Sequence, residues 1–261
     1  MTSNDTVEKA AKISETSEKN SQSTKSETSQ SEEDKSMSYD SGSLLKAVSS
    51  NDSEKVAEIL ETKTYPIDEL NEKGETPLLI AVHNNQIELA KKLIDAGANV
   101  NIQDNIADSP YLYAGAEGRT EILAYMLSHS EPDQSIVNRF GGNALIPAAE
   151  KGHLETVKLL LTDGHVTINH QNNYGYTALI EAVALRDGSK VYQDIVSELL
   201  KYGANPDITD NYGKSAKDYA NELGYGTISK LLKEWLSEES IGIEENVKGE
   251  PMKVLLLKFL F

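Results

Sequence analysis

The sequence predicts an all-α solenoid of about six helix-turn-helix repeats with short hairpin-like tips, flanked by disordered tails. Three observations predict it. A short motif recurs with a period near 33 residues, a pair of large apolar residues recurs behind it in a second register, and the first 40 residues hold almost no large apolar side chains. A fixed period in this range means stacked units, each leaving an apolar face that its neighbour covers.

Residues 1–40 contain ten Ser and five Thr, with nine acids against five Lys, so the stretch carries about −4. It cannot bury enough surface to offset its ordering entropy and is expected to be a disordered Ser/Thr/Glu/Lys-rich tail. Residues 41–236 carry the helical patterning. The first copy, "SLLKAVSSNDSEKVAEILE" (43–61), is degenerate, and its outer residues Ser49, Ser50, Glu54, Lys55 and Glu58 suit an N-terminal cap.

Five clearer copies follow: "ETPLLIAV" (75–82), "DSPYLYAG" (108–115), "GNALIPAA" (142–149), "YTALIEAV" (176–183) and "KSAKDYAN" (214–221). A capping type recurs at Thr76, Ser109, Asn143, Thr177 and Ser215, and an alanine five residues later at Ala81, Ala114, Ala148, Ala182 and Ala220. The hydroxyl of Thr76 can close the first helix and Pro77 suits its first turn. The alanine lets neighbouring helices approach closely. The second register holds Leu93–Ile94, Met126–Leu127, Leu160–Leu161, Leu199–Leu200 and Leu231–Leu232. Gly97 and Gly203 are expected to end second helices in a left-handed turn. Two irregularities stand out: "SHSEPDQSIVNRF" (128–140), and about five extra residues in "ALRDGSKVYQD" (184–194). Lys230, Lys233 and Glu234 around Trp235 suit a C-terminal cap. Residues 237–261 are expected to form an acidic linker and a short apolar tail, its last eight residues being apolar apart from Lys258, far too few to span a bilayer.

With "GETPL", "AGANVN" (96–101) and "KGHLETVKLLLTDG" (151–164), residues 43–235 resemble the ankyrin-repeat family. The resemblance implies an ankyrin-repeat solenoid that binds a partner protein through its hairpin tips and the inner face of its first helices. The chain departs from the family at the histidine of its Thr-Pro-Leu-His pattern, replaced by Leu79, Leu112, Ile146, Ile180 and Asp218. Apolar packing is expected to take over there.

Composition narrows the chemistry. The net charge of −17 argues against nucleic acid, and no Lys/Arg stripe is visible. The chain has no cysteine, which removes disulfides, thiolate zinc sites and Cys nucleophiles. There is no apolar leader at the N-terminus as given, so a cytoplasmic location is the default expectation, with a surface-tethered or secreted form if an upstream signal has been removed. His153 is expected to open a second helix structurally, and His83 to face the groove. An enzyme or metal protein would need His165 and His170, which lie five apart with no third ligand nearby, so no catalytic residue, cofactor or metal is assigned.

The surface that could bind lies at the tips. Their third positions are Lys73, Ile106, Phe140, Tyr174 and Tyr212, four of them apolar or aromatic. Tyr176 flanks one tip; Tyr113 and Arg186 join Asn84, Glu117, Glu150 and Glu181 on the groove walls. Phe140 and Tyr176 are the favoured partner contacts, whereas Tyr174 and Tyr212 could equally pack on each other. Residues 41–236 carry about −11 (−17 less −4 and −2), so the expected partner is a protein with a basic surface, bound by a monomer without membrane insertion.

Overall fold

The structure, a computed structural model, describes residues 38–245 of the chain and side chains as far as Trp235. The bulk of the expected N-terminal tail and the terminal apolar run lie outside the described residues.

Six helix pairs follow one another: α1 (Ser43–Ser49) with α2 (Ser53–Glu61), α3 (Pro77–His83) with α4 (Ile87–Asp95), α5 (Pro110–Ala116) with α6 (Thr120–His129), α7 (Leu145–Glu150) with α8 (Leu154–Asp163), α9 (Ala178–Ala184) with α10 (Lys190–Lys201), and α11 (Ala216–Glu222) with α12 (Gly226–Glu245). First helices pack on first helices, α1 on α3 and so on to α11, and second helices pack on second helices in a parallel layer. The core is therefore a continuous seam between two layers.

Each short first helix is held by its cap. The hydroxyls of Thr76, Ser109 and Thr177 accept from the N–H groups of Leu79, Leu112 and Ile180 at 3.1, 3.2 and 3.2 Å, all buried. Asn143 does the same for Ile146, and Ser215 forms a reciprocal capping box with Asp218. The helix α1 has only Gly42 at this place, and the Glu69 carboxylate reaches back to take the N–H groups of Gly42 and Leu45 instead. Four of the five positions that depart from the family histidine become core, Leu79, Leu112, Ile146 and Ile180 all being buried, whereas Asp218 is exposed and serves the capping box instead of apolar packing. The recurrent alanines are buried as well. At α5 even alanine would be too large one residue later: a Cβ on Gly115 would lie 2.8 Å from that of Ala144 on the next repeat.

Two boundaries move relative to expectation. Tyr39, assigned to the tail, packs against the first pair, meeting the Tyr65 ring edge-on at 6.4 Å with Lys55 Nζ 4.7 Å from its ring centre. Among the described residues no repeat precedes α1, and this ring packs on the face of the first pair. At the other end α12 runs to Glu245, past the boundary expected at residue 236. The second-register pairs are also less uniform than expected: Leu127 and Leu231 are only half-buried.

Candidate functional site

Five turns project between the repeats, and each is organised by one side chain. The Oδ1 of Asn71 accepts from the N–H groups of Lys73 and Glu75 at 2.9 and 3.0 Å. Asp104 serves Ile106 and Asp108, Asn138 serves Phe140 and Gly142, Asn172 serves Tyr174 and Tyr176, and Asp210 serves Tyr212 and Lys214 in the same way. Such side-chain-to-backbone bonds fix a turn without help from a sheet. Only one isolated bridge, Thr209 with Ser215, is sheet-like among the described residues.

The turns are then tied to one another. The Asn105 N–H donates to the Lys73 carbonyl at 2.9 Å, Asn173 to Phe140 at 2.9 Å, and Asn211 to Tyr174 at 3.1 Å. Close approach explains the residue at the fourth place of most turns. Gly141 has φ +75°, and a Cβ there would sit 2.3 Å from Asn173 Oδ1. Ala107 occupies the same left-handed place at φ 64° and bears the associated strain.

This framework fixes which side chains face out. Ile106, Phe140 and Tyr174 are exposed, and Tyr212 retains 76% of its surface. Arg139 stacks its guanidinium 4.6 Å from the Phe140 ring centre. Two residues along, the side chain turns inward: Tyr176 is half-buried, 6.3 Å from Tyr174 and edge-on to Tyr219 at 6.4 Å. Of the two favoured contacts Phe140 is exposed and Tyr176 is engaged in packing, while Tyr174 and Tyr212 are exposed. Tyr219 hydrogen-bonds Asp210 at 2.6 Å, and burial with that bond raises its phenol well above the ordinary range.

Beside the row lies an open hollow of about 730 Å³. Ile106, Tyr113, Phe140, Tyr174, Tyr176 and Tyr212 all line it. Two of the expected residues do not. Lys73 is exposed at the first turn, outside the hollow. Arg186 pairs with Glu150, and its carbonyl accepts from Tyr225, so the extra residues of the fourth repeat fold back on their own solenoid. Tyr113 meets His83 with the rings tilted by 57° and their centres 4.1 Å apart, and His83 Nδ1 lies 3.3 Å from Glu75.

The charges lining the hollow are mostly paired. Arg139 faces Asp108 at 3.6 Å, Lys151 bonds Glu117, and Arg186 bonds Glu150. Glu181 differs. It is 6% exposed, its Oε1 accepts from Asn172 Nδ2 at 2.9 Å, and its Oε2 has no hydrogen-bond partner among the described residues. Burial first, and the Glu150 charge second, push its acid up to about 7. In the other clear copies the same place holds Ile80, Tyr113, Pro147 and Tyr219. An acid at a position otherwise apolar or aromatic is the signal that could have singled it out; reading it as one of several groove-wall acids missed this.

The two histidines considered for a metal have separate partners: His165 bonds Asp163 at 2.9 Å, and His170 Nε2 bonds the Gly141 carbonyl at 2.6 Å. No group of three His, Asp or Glu gathers at ligating spacing among the described residues, and none of the described helices is long and apolar enough to cross a membrane. His153 packs over Gly118, and burial holds its imidazole below the ordinary range.

Comparison with known proteins places this architecture. A family model of ankyrin repeats, three copies, matches residues 44–136 and 111–210. The chain is 40% identical over 166 residues to the ankyrin repeat protein YahD of Escherichia coli (strain K12), spanning 64% of this chain and 82% of that one. The solved structure of the ankyrin repeat protein EF0377 superposes with a TM-score of 0.74 at 61% identity, covering 75% of this chain and 98% of that one. An ankyrin repeat domain from Acinetobacter baumannii AYE gives 0.72 at 47% identity, with the same coverage.

Proposed function

The chain belongs to the ankyrin-repeat family, and from that premise we propose that it is a non-catalytic recognition module that binds a partner protein along its row of turns and the adjoining hollow. Proteins of this family generally mediate protein–protein interactions, as non-enzymatic scaffolds. One observation carries the reading for this molecule: Ile106, Phe140, Tyr174 and Tyr212 stand exposed on turns locked by their own Asx bonds and by bonds between turns. Large apolar side chains on a rigid frame lose little freedom on binding and make effective anchors.

Charge supports the kind of partner. The repeat region carries about −11 (−17 less −4 and −2), so a basic protein surface would be steered toward it, with an association rate that falls as salt rises. The test is partner capture by the full chain and by a variant carrying Phe140→Ala, Tyr174→Ala and Tyr212→Ala. These side chains are exposed, so helicity should be unchanged while capture is lost. Undiminished capture would refute the reading.

A further inference from the structure

Resting on that reading, we propose that the hollow selects a protein segment that inserts a lysine side chain, with Glu181 accepting its ammonium group.

Three acids lining the hollow, Asp108, Glu117 and Glu150, each face a cation of the same chain. Glu181 faces only the Asn172 amide, through one oxygen. Arg186 acts on it from a distance, but the guanidinium is bonded to Glu150. A carboxylate this buried, with an oxygen unpartnered, is costly unless something brings a donor to it.

The surroundings say which donor. Tyr174 and Tyr176 line the same hollow with ring centres 6.3 Å apart, and Phe140 and Tyr212 line it as well. Such walls accommodate the methylene stem of a long side chain and present ring faces to a cation. A guanidinium binds a carboxylate best through two parallel bonds, which needs both oxygens. Here Oε1 is occupied by Asn172, so only Oε2 remains. A compact ammonium is served by one oxygen plus ring faces. The raised acid of Glu181 fits the same picture, because an arriving ammonium replaces the proton that burial otherwise favours. The partner is therefore a protein segment with an exposed lysine, in keeping with the acidic balance of the repeats.

The experiment selects short random displayed peptides on the full chain in mildly alkaline buffer. Enriched peptides should share a lysine. Replacing that lysine by norleucine, or making Glu181→Gln, should each weaken binding roughly tenfold or more, and norleucine should cost nothing further on the Glu181→Gln chain. A thermal melt of Glu181→Gln, expected to be at least as stable as the parent, separates lost binding from lost folding. Peptides that depend on Phe140 and Tyr212 but not on lysine or Glu181 would overturn this inference and leave the recognition reading standing. Dependence on arginine in place of lysine would also overturn it. Peptides indifferent to Phe140 and Tyr212, or no enrichment at all, would overturn both.

Discussion

The helices α3 and α9 are two copies of one solution. Each starts from a buried threonine that caps it, and each buries the same four places: Leu78, Leu79, Ala81 and Val82 in one, Leu179, Ile180, Ala182 and Val183 in the other. Between those places they part. Where α3 has Ile80, half-buried, α9 has Glu181, buried and short of one partner. The places that touch neighbouring repeats are dictated by packing and barely vary. The place that looks onto the groove is open to chemistry, even chemistry that costs stability.

If α3 and α9 are interchangeable in the core, Leu79→Ala and Ile180→Ala should destabilise the chain similarly, each by about 2–5 kcal/mol. Urea unfolding measures this; a large inequality would break the comparison. The groove position should behave the opposite way. The acid of Glu181 rises from an ordinary 4.5 to about 7 on folding. The folded state therefore holds a proton that the unfolded state gives up earlier. Its contribution is fully present below pH 4.5 and is lost as pH rises through about 7. Glu181→Gln should accordingly be more stable than the parent above that range, by roughly 3 kcal/mol, with the advantage gone below pH 4.5. Chemical unfolding at a series of pH values reads this directly.

Smaller effects sharpen the same contrast. Thr76→Ala and Thr177→Ala each remove a buried cap and should cost about 1 kcal/mol in thermal or urea unfolding. At the turns, Ala107→Gly should gain about 0.5 kcal/mol. Relief of a left-handed alanine is worth ~1–2 kcal/mol, partly offset by the greater freedom glycine has when unfolded. A loss instead would show that the turns are not equivalent.

Most of the fold was legible because it rests on local repetition. The caps, the buried alanines and the apolar replacements of the family histidine all lie at fixed offsets within one copy, and copies at 33 to 38 residue spacing reveal them by self-comparison. The candidate site was legible in part. The exposed row at Ile106, Phe140, Tyr174 and Tyr212 follows from the turn register. The inward swing of Tyr176 does not, because it depends on the next repeat, whose Tyr219 ring meets it edge-on at 6.4 Å. Arg186 sits in an insertion, and insertions carry no register to read; only folding shows it spent on Glu150. Glu181 is visible as an odd residue in its column. Its ionisation is not, since that depends first on how deeply folding buries the side chain and then on the Glu150 charge that packing brings beside it.

The measurement that bears most directly on this account is the ionisation of Glu181 itself, followed by carbon NMR of its side-chain carboxyl in the full chain. A midpoint near 7 is expected from a buried carboxylate held without a cation. A midpoint at or below 4.5 would mean that Glu181 is solvated or already paired, and the hollow would then hold no unmet demand for a partner's charge.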